Sequence, residues 1–258
     1  MAREEKLKKE EIKDKVAKYV DAETSKLEKA LRHFFALLRS NRKLLLLLTL
    51  GIVIIAGAII SYSIYSTNKK HKIASEFFLV NKDYNEKIKK QIFDINAVGE
   101  TIKKLKEVAE MSSTVEEALL ARYFLGVLYY NIARSENKPG FYKNAIDYFY
   151  IVADQHSFAF APQSLLAIGS CYEDFNTQNF YQKAIEFYDI IIDRYPNTVF
   201  ANRANYKKGV CYIKLNKKDL AIDAFKKVPQ FIGEEASRRE NIYYKLGQDF
   251  IIWLESQR

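Results

Sequence analysis

From Leu44 through Tyr65 the chain reads LLLLLTLGIVIIAGAIISYSIY, twenty-two residues without a charged side chain. As a helix this run spans about 33 Å, against a hydrocarbon core of about 30 Å. A buried helix of a soluble domain seldom stays apolar on every face for so long, so the run predicts a transmembrane helix at 44–65. Forty-three residues precede it. A cleavable signal would start earlier and be shorter, so the segment is expected to remain as an anchor. Arg42 and Lys43 close its near end and Tyr62 and Tyr65 its far end, as charged and amphipathic side chains do at membrane interfaces.

The flanks predict an orientation. Residues 26–43 carry six Lys/Arg against Glu28 alone, whereas residues 66–83 carry four against Glu76 and Asp83. That bias places the N-terminus in the cytoplasm and the larger C-terminal part outside it. Before the span, Leu7, Ile12, Val16, Val20, Leu27, Leu31, Phe34 and Leu38 recur mostly four apart, the pattern of an amphipathic helical arm over 1–43. Its basic and apolar faces suit an anionic membrane surface or another membrane protein; the alternative is a solvated helix that only holds the topology. Of the net charge of +9, residues 1–43 hold +5. The rest of the chain has an ordinary balance, which predicts no nucleic-acid surface.

Past a helical stalk expected at 66–96, the chain repeats itself. Leu125-Gly126-Val127-Leu128-Tyr129, Ile168-Gly169-Ser170-Cys171-Tyr172, Gly209-Val210-Cys211-Tyr212 and Leu246-Gly247-Gln248-Asp249-Phe250 are four versions of one phrase. After the first three comes a second phrase: Ala145 with Phe149, Ala184 with Tyr188, Ala221 with Phe225. Each phrase reads as an amphipathic helix whose small residue lets a neighbouring backbone approach while the aromatic fills the space left over. A single hairpin of this kind cannot bury its apolar stripe, so units must stack. The fold class is therefore all-α, with a repeat domain over 97–258 opened by a solitary helix near 97–111. The interval from glycine to alanine is twelve residues in the third unit but nineteen in the first and fifteen in the second. The extra residues are expected in the turns at 135–140 and 176–179, which are rich in turn formers.

Chemistry finds little material. His33, His71 and His156 lie in separate segments without metal-ligand spacing, no nucleophile sits in a glycine elbow, and adjacent pairs such as Glu116 and Glu117 splay apart on a helix. No cofactor, metal or catalytic site is expected, and no enzyme. Cys171 and Cys211 each stand two residues after a repeat glycine. Equivalent positions in stacked hairpins lie about 8 to 10 Å apart or more, beyond the roughly 7 Å Cα limit of a disulfide, so both are expected as buried free thiols.

The repeats resemble the tetratricopeptide repeat, W-x2-L-G-x2-Y, then A-x3-F, then P. Leu165-x2-Ile168-Gly169-x2-Tyr172, Ala184-x3-Tyr188 and Pro196 match it best, with Leu and Tyr replacing Trp and Phe. Tyr195-Pro196-Asn197-Thr198 with Ala201 and Ala204 is similar to the variant found in bacterial envelope proteins. The resemblance implies a right-handed α-solenoid with a concave groove lined by the first helix of each hairpin. The residues it places there are Tyr123, Val127 and Tyr130; Leu166, Ser170 and Glu173; Tyr206, Val210 and Ile213; and Tyr244, Gln248 and Ile251. Four tyrosines on one surface suit an extended or helical peptide; the alternative is a groove closed by its own packing. The layout of arm, span, stalk and repeats also resembles the ancillary subunit of the bacterial Sec translocon, with Phe34, Phe35, Asn41 and Lys43 in the places of that family's phenylalanine pair and following turn. That resemblance implies an inner-membrane protein with a periplasmic domain, translocon contacts through Phe34, Phe35, Arg42 and Lys43, and a chaperone-like adaptor role toward the export channel and exported or envelope proteins. The alternative role is a structural scaffold of an envelope or division complex.

Overall fold

A computed structural model describes residues 26, 28–32, 34, 36, 42–229 and 236–256. The expected arm residues Leu7, Ile12, Val16, Val20, Leu27 and Leu38, together with Phe35, lie outside the described residues, as do the side chains of Arg42 and Leu44. The chain divides into two compact units between Asn68 and Lys69. Every described element is a helix: α1 Arg42–Lys89, α2 Ile95–Glu110, α3 Glu116–Ser135, α4 Gly140–Ala153, α5 Ala161–Asp174, α6 Gln178–Arg194, α7 Val199–Lys214, α8 Lys218–Lys226 and α9 Ala236–Glu255. The described residues from 26 to 36 are helical too.

In the first unit the apolar run is bare. Leu46 is 67% exposed and Ile52 66%, and this helix is long and apolar enough to cross a membrane. Side chains of this kind, uncovered on all faces, are stable in hydrocarbon and not in water.

The second unit begins earlier than the sequence predicts. Ile73, Phe77, Val80 and Tyr84, spaced four, three and four apart, are buried in the main core of the repeats. Tyr84 stacks on Phe124 at 4.0 Å between ring centroids. Asp83 accepts a hydrogen bond from Thr101, and Lys87 Nζ donates to the carbonyl of Ala97 at 2.8 Å. The expected stalk at 66–96 is thus largely a packing layer of the repeat unit, because its polar composition hides one apolar stripe. Beside it, α2 starts with Asp94 accepting from the N–H groups of Asn96 and Ala97, while Glu136 accepts from Ile95. Carboxylates at a helix N-terminus satisfy free donors and suit the local dipole.

From α3 onward, helices pair α3 with α4, α5 with α6, and α7 with α8, each packing on the next pair. The small residues lie where helices cross: Ala145, Ala184 and Ala221 are fully buried. The extra residues of the first two units are mostly helical, which corrects the expectation that they fill the turns. Helix α3 runs nine residues past Gly126, whereas α5 and α7 run only five past Gly169 and Gly209. In the second unit the surplus opens α6, which starts six residues before Ala184. Added turns of helix extend the hydrogen-bond ladder, so they cost less than a longer loop.

The turns stay short because asparagines end the helices. Asn137, Asn176 and Asn216 take positive φ just past α3, α5 and α7. After Asn137 and Asn216, the N–H groups of Lys138 and Lys217 reach back to the carbonyls of Ala133 and Tyr212, the six-to-one bond of a Schellman end. The Tyr195-Pro196-Asn197-Thr198 turn works similarly, with Asn197 at φ 61° and Thr198 Oγ1 accepting from the N–H of Ala201.

Three glycines set the distance within the hairpins. A Cβ on Gly126 would lie 2.6 Å from the Phe149 ring, and one on Gly169 or Gly209 would meet the rings of Tyr188 and Phe225 as closely. Those rings are fully buried and have nowhere to go. Replacing any of the three by Ala should destabilise the repeat unit by about 1–3 kcal/mol. Gly247, whose Cβ would meet Phe225 at an ordinary 3.5 Å, and Gly99, with open space, should instead gain about 0.5–1 kcal/mol on the same change. Urea denaturation of the five variants measures the split.

Candidate peptide-binding groove

The first helices α3, α5 and α7 carry the residues expected to line a groove, and most of these sit half-buried. Their side chains differ in how much of them is left for a ligand. Tyr123 packs its ring against Phe160 at 4.8 Å and Phe149 at 5.7 Å, so it works as a spacer between hairpins. Tyr206 does the same with Tyr243 at 5.3 Å and Phe225 at 5.7 Å. Tyr130 lies 5.9 Å from the Tyr142 ring, with the Arg134 guanidinium over its face. Ser170 Oγ donates to the carbonyl of Leu166 at 3.0 Å, satisfying itself within its own helix. Val127 and Leu166 pack against the main core.

Glu173 is the polar centre. It accepts from the Tyr188 hydroxyl at 2.6 Å, from Lys207 Nζ at 3.0 Å and from the Cys211 thiol at 3.5 Å. One carboxylate thereby ties α5 to its own second helix and to the next hairpin. Asp174 beside it pairs with Arg134 at 3.6 Å and accepts from the Tyr142 hydroxyl. The resemblance to the repeat family implies a groove-facing Glu173 but carries no sign of these bonds, since Tyr188, Lys207 and Cys211 come from other helices.

Two clefts open here. A polar one of about 380 Å³ is lined by Glu173, Asp174, Asn176, Tyr181, Val210, Cys211 and Lys214. An apolar one of about 530 Å³ lies between α7 and α9, lined by Val210, Ile213, Lys214, Leu246, Asp249, Phe250 and Trp253. Of the expected groove residues, Glu173, Val210 and Ile213 line these clefts. Tyr244 and Gln248 are half-buried on α9 and line neither. Ile251 is a correction: it is 7% exposed and packs with Ala221, Ile222 and Phe225, because α9 turns that face onto α8. Sequence reasoning did not mark Leu246, Phe250 and Trp253 as cleft residues, because the spacing of apolar residues along α9 does not say which of them the neighbouring helices cover. Of the expected membrane contacts, Phe34 is half-exposed and Lys43 exposed.

Cys171 and Cys211 are buried free thiols, as the spacing argument predicts. Among the described residues no group of His, Cys, Asp and Glu is arranged to hold a metal ion.

The family described as Tetratricopeptide repeat matches residues 163–198 and 203–230, the hairpins α5–α6 and α7–α8. No curated protein matches the chain. The chain is an all-helical protein with tetratricopeptide-type hairpins, the architecture of a protein-interaction module.

Burial, reinforced by the Glu173 carboxylate, raises the Tyr188 phenol well above its ordinary range. Burial and nearby Asp174 push Tyr142 up to about 12. Burial also raises both thiols. Folding holds each group neutral, so its contribution is complete below the unfolded pKa, 9.0 for thiol and 10.0 for phenol, and is lost as pH rises through the folded value. The melting temperature of the repeat unit should therefore hold to about pH 9 and fall steadily toward pH 12. Tyr142→Phe should soften the fall above pH 10, as read by circular dichroism melts across that range.

Proposed function

We propose that this protein is a single-pass membrane adaptor whose repeat unit, outside the cytoplasm, binds exported or envelope proteins beside the protein-export machinery of a bacterial inner membrane. The observation that carries the reading is the union, in one chain, of a bare apolar helical stretch over 45–65 with tetratricopeptide-type hairpins that present two adjoining clefts. A helix of this length and composition supports a membrane anchor for the hairpins. The clefts give them a surface for peptide segments. The excess of Lys/Arg before the span supports an N-terminus in the cytoplasm, and Phe34 with Lys43 would then face the export channel on that side.

A second reading, a stoichiometric scaffold for an envelope or division complex, is favoured by the groove's internal packing. Tyr123 and Tyr206 are fixed between hairpins and Glu173 is triply bonded. A preformed, rigid surface suits one defined partner better than many unfolded clients.

Protease added outside an intact inner membrane should digest the chain beyond Lys69 and spare the first forty residues. Protection of the C-terminal unit would overturn the proposed compartment. Photocrosslinkers at Phe34 and Ile54 should capture the export channel, and one at Tyr244 should capture many exported chains. A single recurrent partner at Tyr244 would select the scaffold, and no channel adduct from Phe34 or Ile54 would remove the adaptor.

A further inference from the structure

Ile73, Phe77, Val80 and Tyr84 bury one stripe of α1 in the core of the repeat unit, and the opposite stripe faces outward. Steps of three and four carry that second stripe through Ser75, Phe78, Lys82, Glu86 and Lys89, with Lys72 and Leu79 beside it, and every one of these residues is exposed. Phe78 at 73% and Leu79 at 67% are the two most exposed large apolar side chains among the described residues of the repeat unit. This part of α1 is the first layer of the stack. The end layer of a helical repeat stack is ordinarily polar on its outer side, because nothing more packs there. A phenylalanine and a leucine side by side at the middle of that side break the rule and mark a place where packing continues onto another molecule.

Charge identifies the occupant. Residues 69–90 carry seven lysines against three carboxylates, Glu76, Asp83 and Glu86. Two of the three are engaged within the chain: Asp83 accepts from Thr101, and Glu86 pairs with Lys90 at 3.6 Å. On the exposed face itself, Lys72, Lys82 and Lys89 have no carboxylate partner among the described residues. The apolar pair therefore lies between unpaired cations, Lys72 before it and Lys82 and Lys89 after it, on one face of one helix.

We infer that this outer face of α1 receives a helix of a partner protein, which lays apolar side chains over Phe78 and Leu79 and sets carboxylates against Lys72, Lys82 and Lys89. Such a helix adds one more layer to the stack, packing on α1 as helices pack within it. Carboxylates on the partner complement the lysines and disfavour basic segments. A second copy of this chain is a poor occupant, because the face set against itself brings lysines to lysines.

Ser75 lies on the face one turn before Phe78, and Cys171 and Cys211 are buried, so Ser75→Cys gives one accessible thiol for an environment-sensitive dye such as acrylodan. The labelled full chain in zwitterionic lipid nanodiscs is titrated with a synthetic helix carrying Leu at i, i+3, i+4 and i+7, Glu on both flanks and Ala elsewhere, and with its Lys-for-Glu counterpart. The acidic helix should give a saturable blue shift of the dye, with the basic helix binding about tenfold more weakly. Lys82→Glu should narrow that preference, and Phe78→Glu should abolish the shift while leaving the far-ultraviolet circular dichroism unchanged, since both side chains are exposed. No shift, or equal shifts with both helices, would overturn the inference. A blue shift without peptide would do the same in two ways: one that appears on moving to anionic nanodiscs gives the face to a lipid surface, and one that grows with protein concentration alongside a sedimenting dimer gives it to a second copy.

Discussion

A buried aromatic ring pressed against a glycine in the neighbouring helix fixes the geometry on which the repeat unit depends. Phe149 on Gly126, Tyr188 on Gly169 and Phe225 on Gly209 are three copies of the contact. Without a Cβ, the first helix lets the second come close, and the ring fills the space that closeness leaves. Each contact pins one point of the first helix against one point of the second, so it sets separation and register together. Once the hairpins share one geometry, their outer faces are equivalent and can stack.

The middle ring carries a second duty. Tyr188 replaces a phenylalanine of the common pattern, and its hydroxyl donates to Glu173. That bond brings a carboxylate into a half-buried position, where Lys207 and Cys211 from the following hairpin complete its shell. A hydroxyl that is buried needs an acceptor. Supplying one here links packing inside a hairpin to polar contacts between hairpins. The surface is consequently bridged between hairpins at Glu173, and open where Val210 and Ile213 line the cleft beside α9.

At the two ends of the unit the repeat gives way to other solutions. At the start, the Ile73 to Tyr84 stripe of α1 covers the first layers, so the helix that leaves the apolar run is also part of the core. At the other end, α9 stacks Phe250 on Phe225 and buries Ile251 and Leu254, while Leu246 and Trp253 stay open beside the groove. The asymmetry leaves an apolar cleft open beside α7 at this end.

Much of this was legible in the residues themselves. Twenty-two uncharged positions, four glycine phrases and three alanine–aromatic phrases are local patterns, and their spacing alone marks helices, although stacking against neighbours supplies most of the stability. The helical class, the hairpins, the apolar span and the free thiols followed from them. Other features depend on residues far apart in the chain. That Ile73, Phe77, Val80 and Tyr84 are core and not stalk depends on Phe124 and Thr101 being there to meet them. The surplus of the first two units became helix because added helical turns satisfy their own backbone. The face that α9 buries was set by the rings of Tyr206 and Phe225, which drew Ile251 inward and left Trp253 at the cleft. Periodicity assigns a side chain to a face of its own helix; only the packed neighbours decide which face is buried, because burial is a property of both surfaces at once.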